Sequence, residues 1–570
     1  MSRNRRARAS GAARLMDPLR AALGARQSVD VARRRLERHG ATVAPVVHTG
    51  RPIGLVTRDL LIQASRFGLG DRLLADVVTG ACPHVGPRAS GPTLHAKARS
   101  TAPGLLVRSE GDVIRGIIDR RRLAGQWRPA RAGKTHRPGG LLALLSDQHI
   151  ASVLEARRVA RGLRMPVYLV GGAVRDLLLG RSIASLDLTV AGDGIRFAER
   201  LARRLDATIV RHRRFGTAVL SLRGGGTLDV ATARTETYQK PAALPAVAPG
   251  GIHEDLLRRD LTINAMAIRV DGRARGSLCD ALGGARDLRL GTLRVVHRLS
   301  MIEDPTRAFR AARFSARLGM RWHEETRASV ALARSIGAFA SLSPQRRFRE
   351  FDLMTGEPDP TKALARLASL GLLEDLVPRL GVDRRRAGWW RRLKRGEKSI
   401  DAVRARGSAR ALLYLGLLMM GRSGQDGETA LAHLGIAGAP ALRLLSLPSR
   451  VATLERALRR MRRTRARPSR IARICEAADE DALIAGWCCA EAGERAAIET
   501  YLRRLRRIRP EVTGSDLRRL GVPPGPVYGH ILRRLKEARL DGAFAGPKGR
   551  VGREAELRMA MRLARGRRLT

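Results

Sequence analysis

The stretch from Pro166 to Asp193, PVYLVGGAVRDLLLGRSIASLDLTVAGD, constrains the fold of this chain more than any other. A short apolar run ends at Gly171 and Gly172, an amphipathic segment follows, and an apolar alternation then surrounds Asp187. The pattern predicts a strand, a glycine turn, a helix and a second strand.

The glycine pair predicts a site for an anion. Two adjacent glycines let the backbone approach a ligand closely, and the N-terminus of the next helix presents free N–H groups, which suits phosphate. Ser185 and Asp187 lie two residues apart on the predicted strand, so both point to one face, where a metal bound to phosphate would lie. Taken alone, the glycines are explained more simply by a structural turn beside a surface aspartate.

Five motifs in a fixed order resemble one family. VGGAVRDLLLG is similar to the head signature of the class II tRNA nucleotidyltransferases and bacterial poly(A) polymerases, which belong to the polymerase-β superfamily. LDVATARTETY (228–238), LLRRDLTINAMAI (256–268), CDALGGARDL (279–288) and EDPTRAFRAARF (303–314) follow in the family's order. One departure stands out, because the family has Asp-x-Asp where this chain has Ser185-Leu186-Asp187.

The resemblance implies a set of site residues. Asp187 and Asp229 would be the catalytic carboxylates and would hold Mg²⁺, with Ser185 in the place of the missing ligand. The nucleotide would be bound by Gly171, Gly172, Arg175, Arg259, Asp260, Asn264, Asp304, Arg307 and Arg310.

Two of these assignments have structural alternatives. Asp304 and Arg307, at i and i+3 on one helix face, could match the Watson–Crick edges of C and A, but Asp304 before Pro305 also fits a helix cap. Arg259 and Asp260 could equally form a solvated ion pair.

The net charge favours a nucleic-acid partner. The 570 residues carry 108 Lys+Arg against 53 Asp+Glu, a formal charge of +55, and such a field attracts a polyanion. Only eight of these cations are Lys, so a bias towards Arg explains part of the excess. Aromatic residues make up 3% of the chain, which favours contacts with phosphate and duplex shape over base stacking.

Cysteine spacing and hydropathy predict the compartment. The five cysteines lack metal-ligand spacing or a disulfide framework, which predicts a reducing compartment and no structural zinc. The basic N-terminus is followed by no apolar segment, and the longest apolar run is shorter than the ~20 residues that span a bilayer. A cytoplasmic protein without membrane contact is expected.

Residues 15–124 contain two imperfect copies of one plan. Each copy has an apolar strand, a glycine turn, a second strand and a helix start. The repeat resembles a tandem CBS (cystathionine-β-synthase) pair, in which Thr57 and Asp59 would contact the phosphate and ribose of AMP or ATP. A module that spaces domains or forms a homodimer explains the repeat equally well.

The predicted fold class is α+β. A basic disordered arm (1–14) precedes the CBS-like pair (15–124) and a linker (125–140) rich in Gly, Pro and Arg. A nucleotidyltransferase head with a small mixed sheet (141–295) follows. The helical periodicity of the remainder predicts a neck with the base-selecting helix (296–360) and an RNA-binding body and tail (361–570).

The resemblance predicts an enzyme that adds AMP from ATP, or CMP from CTP and then AMP, to the 3′ end of tRNA without a template and releases pyrophosphate. A poly(A) polymerase acting on other RNA is a close alternative, because both have the same head. A non-catalytic protein that binds RNA or senses adenine nucleotides is a third hypothesis, and Ser185 motivates it. If the chain is an enzyme, Ser185 predicts slow transfer.

Overall fold

The structure, a computed structural model, describes residues 11–80, 82–124, 145–183, 185–400, 408–462, 467–544 and 550–565. Contacts divide the chain into two compact units, residues 1–342 and 343–570. The predicted neck, 296–360, therefore contributes residues to both units. The linker predicted at 125–140 and the first ten residues of the predicted arm lie outside the described residues.

The first unit begins with a structural repeat. Helix α1 (Ala12–Leu15) and strand β1 (Asp17–Pro18) precede it. The first copy comprises β2 (Leu23–Gly24), α2 (Val29–Arg38), β3 (Val43–His48), β4 (Arg51–Thr57) and α3 (Arg58–Arg66). After α4 (Leu74–Val77), the second comprises β5 (His84–Val85), α5 (Gly91–Ala98), β6 (Gly104–Arg108), β7 (Ile114–Asp119) and α6 (Arg120–Ala124). In each copy a short strand pairs in parallel with the first strand of an antiparallel hairpin.

The prediction of a disordered arm over 1–14 is wrong for its last residues. Ala12 is completely buried in the core of the second copy, and its backbone N–H donates to the carbonyl of Ala89 over 3.1 Å. A small apolar side chain that removes its surface from water in this way anchors the start of the chain.

The central part of the first unit is a mixed seven-stranded sheet. Its elements, with the hairpin beside them, are α7 (Asp147–Leu163), β8 (Val167–Val170), α8 (Gly172–Leu178), β9 (Leu186–Val190), α9 (Gly194–Leu205), β10 (Thr208–His212), β11 (Thr217–Ser221), β12 (Thr227–Thr232), β13 (Arg234–Thr237), β14 (Ala246–Pro249), α10 (Ile252–Leu257), β15 (Ala267–Arg269) and β16 (Leu278–Cys279). The strand order is β10-β11-β12-β9-β8-β15-β16, and only β12 and β9 pair in parallel.

Helix α9 covers one face of the sheet because its apolar residues recur at helical spacing. Phe197, Ala198 and Leu201 are completely buried, and α9 contacts β11 and β12. Helix α7 packs on α9 in turn. The first unit continues with α11 (Gly284–Arg289), β17 (Thr292–Leu293), α12 (Ser300–Glu303), α13 (Thr306–Leu318), β18 (Arg321–Trp322) and α14 (Glu324–Ser335).

Three local predictions need correction. Helical periodicity predicts a helix over 141–161, and among the described residues this helix is Asp147–Leu163. The proline- and glycine-containing stretch 241–251 predicts a loop, but residues 246–249 form β14, which pairs with β13. Arg259, Asp260 and Asn264 do not lie on a helix that follows this loop, since α10 ends at Leu257 and a 3₁₀ turn spans Thr262–Asn264.

The described part of the second unit is helical, as predicted. Its helices are α15 (Pro344–Thr355), α16 (Pro360–Ser369), α17 (Leu373–Leu376), α18 (Arg384–Ser399), α19 (Ser408–Met419), α20 (Gly424–His433), α21 (Gly438–Leu445), α22 (Leu447–Arg462), α23 (Pro468–Glu476), α24 (Glu480–Cys489), α25 (Ala492–Arg503), α26 (Gly514–Arg519), α27 (Pro526–Leu540) and α28 (Arg550–Arg565). Trp390 is fully buried and packs edge-to-face on Phe351 and Tyr414. No helix within the described ranges is long and apolar enough to cross a membrane.

Candidate active site

A glycine turn joins β8 to α8 at one edge of the sheet. Gly171 has φ 68° and ψ −130°, a conformation that residues with a Cβ atom rarely adopt. A Cβ atom at this position would lie 3.1 Å from Nη1 of Arg259 and 3.7 Å from Oδ2 of Asp187. The turn therefore brings bare backbone, an arginine and a carboxylate to one place.

Asp187 and Asp229 are neighbours in the parallel register of β9 and β12. Directly paired residues of adjacent strands point to the same face, so the two carboxylates share the side of the sheet next to the glycine turn. Burial raises the pKa of Asp187 to about 6, the charge of Asp229 adds to this effect, and Arg259 and Arg175 oppose it. Desolvation also raises the pKa of Asp229, which is the more exposed of the two carboxylates.

This pair fits a divalent cation such as Mg²⁺. Two carboxylates that oppose each other's ionisation are stabilised by a cation between them, and Mg²⁺ prefers hard oxygen ligands. Ser185, predicted to lie on the strand, precedes β9 by one residue and is exposed. In the described part of the chain, no three His, Cys, Asp or Glu side chains form a metal-binding group.

Arg259 is positioned by a carboxylate that sequence reasoning missed. Asp255 is fully buried and accepts hydrogen bonds from Arg258 and from Arg259, with Arg259 Nη2 at 2.8 Å. Burial alone would raise the pKa of Asp255, but the two guanidinium groups outweigh burial and lower it. The signal was present in the sequence, because an acid three and four residues before two arginines is within reach of both when the chain makes a helical turn.

Asp260 and Asn264 form a buried polar chain with two arginines. Asp260 accepts from Nε of Arg310 over 2.9 Å and from Nδ2 of Asn264 over 3.3 Å. Burial opposes its ionisation, but Arg310 and its other partners lower the pKa of Asp260 to about 2. Oδ1 of Asn264 accepts from Arg175 over 2.9 Å. These hydrogen bonds therefore connect Asp260 to α8, the helix that follows the glycine turn.

Arg175 lies under the turn rather than in the open cleft. Arg175 is 4% exposed. Its guanidinium pairs with Asp176 and lies 5.2 Å from the ring centroid of Phe314. A Cβ atom on Gly172 would lie 3.5 Å from its Nη2. Arg175 therefore supports the turn and Asn264 together.

Asp304 and Arg307 stand at the start of α13, and each has protein partners. Oδ1 of Asp304 accepts from the backbone N–H and hydroxyl of Thr306 over 3.0 and 2.6 Å, which is a capping contact. Arg307 is buried, and its guanidinium donates to the hydroxyl of Ser300 over 2.8 Å and to that of Tyr238 over 3.2 Å. Both side chains belong to the packed start of this helix.

Tyr238 was also missed, and it contacts Glu236. The Tyr238 hydroxyl donates to Glu236 over 2.8 Å and accepts from Arg307, and burial raises the pKa of this tyrosine. Glu236 also accepts from Arg234 and Arg258. A tyrosine after an acidic strand carries no sequence signal for such a role.

The two residues assigned to nucleotide in the N-terminal repeat lie near its interface. The Thr57 hydroxyl accepts from the N–H of Leu60 and caps α3. Asp59 forms an ion pair with Arg121 of the second copy. A cleft of about 370 Å³ is lined by both copies, including Arg20, Thr42, Asp119, Arg121 and Arg122. Thr57 and Asp59 do not line this cleft, and Asp59 reaches it only through its ion-pair partner Arg121.

Comparison with known proteins identifies the head. Residues 167–294 match the poly A polymerase head domain. The chain is 31% identical to the A-adding tRNA nucleotidyltransferase of Geobacter sulfurreducens, over 94% of this chain and 63% of that protein. It is 33% identical to the CC-adding tRNA nucleotidyltransferase of Deinococcus radiodurans, over 66% of this chain and 85% of that protein. The chain thus spans less than two thirds of the length of the Geobacter relative.

Solved structures share the fold. A CCA-adding enzyme in an apo form matches with a TM-score of 0.59 and 28% identity, over 74% of this chain and 98% of its own. The Thermotoga maritima CCA-adding enzyme complexed with tRNA matches with a TM-score of 0.56 and 26% identity, over 74% and 98% of the two chains. The head motif, the paired carboxylates and the Deinococcus relative together show that this chain belongs to the tRNA nucleotidyltransferase family.

Proposed function

We propose that this chain adds AMP from ATP to the 3′ end of tRNA and releases pyrophosphate. The observation that carries the proposal is the register pair of Asp187 and Asp229 beside the glycine turn and Arg259. The A-adding relative from Geobacter, aligned over most of this chain, favours AMP as the added nucleotide.

In this proposal the 3′ oxygen of the RNA attacks the α-phosphorus of the nucleotide in line, and the bond to the pyrophosphate breaks. Asp187 and Asp229 would hold a divalent metal, which would supply stabilisation of the negative charge that develops in this step. The turn at Gly171 and Gly172 leaves room for the triphosphate, and Arg259, held by Asp255, offsets its charge.

The remaining residues position the nucleotide. Arg175 holds Asn264, and Asp260, held by Arg310, extends the same network. We assign this network to the sugar and phosphates of the bound nucleotide. A buried polar network whose members are all hydrogen-bonded is rigid, which favours a single nucleotide pose.

Labelled ATP and CTP, supplied with tRNA ending before, within and after CCA, test the proposal directly. The expected result is one AMP added to tRNA that ends in CC and none added to complete tRNA. CMP added to tRNA that lacks CCA would indicate a CCA-adding enzyme, and long adenosine tails on unrelated RNA would indicate a poly(A) polymerase. Binding of RNA without any transfer would favour the non-catalytic hypothesis.

Base selection is assigned to Asp304 with Arg307, and one variant separates it from helix capping. Asp304→Ala should lower discrimination against GTP and UTP by about tenfold, because it removes an acceptor for the amino groups of A and C. Ser146→Ala is the matched control, since Ser146 caps α7 by accepting from the N–H of His149 and losing either cap costs about 1 kcal/mol. The readout is the ratio of the four nucleotides incorporated.

An unchanged ratio in Asp304→Ala would leave this residue with the capping role alone. The reciprocal exchange of Asp304 and Arg307 is a poorer test. Arg307 is buried with Glu303, Ser300 and Tyr238, so an aspartate there would bury an unpaired charge next to Glu303.

We propose separately that the N-terminal repeat is a CBS pair that binds AMP or ATP. The repeated strand plan and the cleft with three arginines support this assignment.

Calorimetry with AMP on the full chain should show binding that Asp59→Asn weakens by about tenfold, because a charged hydrogen bond to the ribose is lost. Asp71→Asn, at an exposed turn between α3 and α4, should leave binding unchanged. Absence of heat, with a dimeric mass in sedimentation, would assign the repeat to homodimer formation.

A further inference from the structure

A groove lined by arginines lies at the other end of the sheet from Asp187 and Asp229. Strand β8 leads from Val167 at this end to the glycine turn at the carboxylates, and the groove of about 370 Å³ opens beside Val167. One wall is the last two turns of α7 with the residue that follows, and the other is the hairpin that connects β15 to β16. Six arginines line it: Arg157, Arg161, Arg164, Arg269, Arg273 and Arg275.

Only one acid among the lining residues offsets this charge, and its oxygens are already engaged. Asp271 accepts from Arg269 over 2.7 Å and from the N–H of Val167 over 2.9 Å. Arg269 also donates to the Tyr168 hydroxyl over 2.7 Å and lies 4.9 Å from the centroid of that ring. The other five arginines have no ion-pair partner within the described ranges.

Helix stability explains only part of this arrangement. A cation in the last turn of a helix interacts favourably with the helix dipole, which accounts for Arg161. It does not account for Arg273 and Arg275, which come from a hairpin more than a hundred residues later in the chain. Like charges gathered within a Debye length repel, so their convergence favours an anionic ligand.

The groove has the chemistry of a phosphate-backbone site. A guanidinium group can donate two parallel hydrogen bonds to the oxygens of one phosphate. Apart from the arginines and Asp271, the lining residues are Ala160, Pro166 and Gly272, which have no side-chain group that could recognise a base. The three arginines of the first wall, two on α7 and one directly after it, recur at i, i+4 and i+7. At the rise of a helix this spacing covers about 10 Å, about three phosphates of a strand at 3.4 Å each along the axis.

We propose that this groove binds the phosphodiester backbone of RNA, at a position separate from the active-site cleft. The identity of the ligand as RNA rests on the proposed function, whereas the site itself rests on the convergence of arginines. Its contribution is to affinity and not to the chemical step.

The test uses the full chain and labelled tRNA, with affinity measured by fluorescence anisotropy over a salt series. Replacing Arg157, Arg161 and Arg164 together by Gln should lower the log–log salt slope by about 2, since each phosphate contact contributes about 0.7 to 0.9. The matched control replaces Arg196, Arg200 and Arg203 of α9, which have the same spacing, are exposed and have no ion-pair partner in the described chain. The control should leave the slope unchanged.

A second variant tests the same groove in case the three substitutions at α7 impair folding. Arg273→Gln with Arg275→Gln changes only the exposed hairpin wall and should lower the slope by about 1.5. Equal slopes in the groove and control variants would overturn the proposal, as would pyrophosphate binding that the groove variant abolishes without any change in RNA affinity. Failure of the proposed function is distinguishable, because a protein that binds tRNA without transferring nucleotide still reports the salt slope.

Discussion

Replacing Asp187 by Asn is expected to lower the rate of nucleotide transfer by about three orders of magnitude. Asn preserves the shape of the side chain but removes the more buried charge of the pair that would hold the metal. Loss of several kcal/mol of transition-state stabilisation corresponds to about a thousandfold at 1.4 kcal/mol per tenfold. The measurement is single-turnover transfer from labelled ATP to tRNA ending in CC.

The matched control for this prediction is Asp206→Asn on the same head. Asp206 is exposed, pairs with Arg223 and has the left-handed conformation at the end of α9, which Asn tolerates well. Its transfer rate should stay within about twofold of the natural protein. Asp187→Asn should keep its tRNA affinity and should not unfold at a lower temperature, because the fold disfavours the charge that it removes. Retention of more than a tenth of the natural rate would show that Asp187 does not hold the metal.

The second large effect is expected at Ser185, where Asp should raise the transfer rate by at least tenfold. A hydroxyl is a weaker ligand than a carboxylate for a hard cation, so the natural protein should bind its metal less tightly and transfer slowly. Ser185 is exposed immediately before β9, so the substitution should cost little stability. Each tenfold gain corresponds to about 1.4 kcal/mol of barrier.

Two other carboxylates that could replace this ligand are engaged elsewhere. Asp193 follows β9 at its far end and caps α9 by accepting from the N–H of Arg196. Glu236 accepts from Arg234, Arg258 and Tyr238. A third carboxylate at position 185 would therefore be new to the site.

Ser185→Asn is the control, because it matches Asp in size without its charge. It should leave the rate unchanged, whereas Ser185→Asp should also lower the Mg²⁺ concentration that gives half the maximal rate. A fast natural enzyme that Ser185→Asp does not accelerate would refute this role for position 185. If both proteins bind RNA and neither transfers nucleotide, the non-catalytic hypothesis is the better one.

The sequence by itself predicted the local elements of the head. A break of an apolar run at two glycines and an alternation around Asp187 are signals of strand, turn and strand that depend on a few adjacent residues. Asp229 in an apolar strand run was equally visible, because an aspartate there is unfavourable without a partner or a function. Helical periodicity likewise predicted the helical character of the second unit.

The tertiary structure alone decided which charged groups are buried and what each one contacts. Arg307 meets Tyr238 from 69 positions away, Arg175 meets Asn264 from 89 positions away, and the groove arginines come from two distant segments. Periodicity places a side chain on a face of its own helix or strand, but its partners depend on how separate elements pack. For this reason the sequence pointed to the paired carboxylates Asp187 and Asp229, while the contact of Asp255 with Arg259 and the inward position of Arg307 emerged only from the fold.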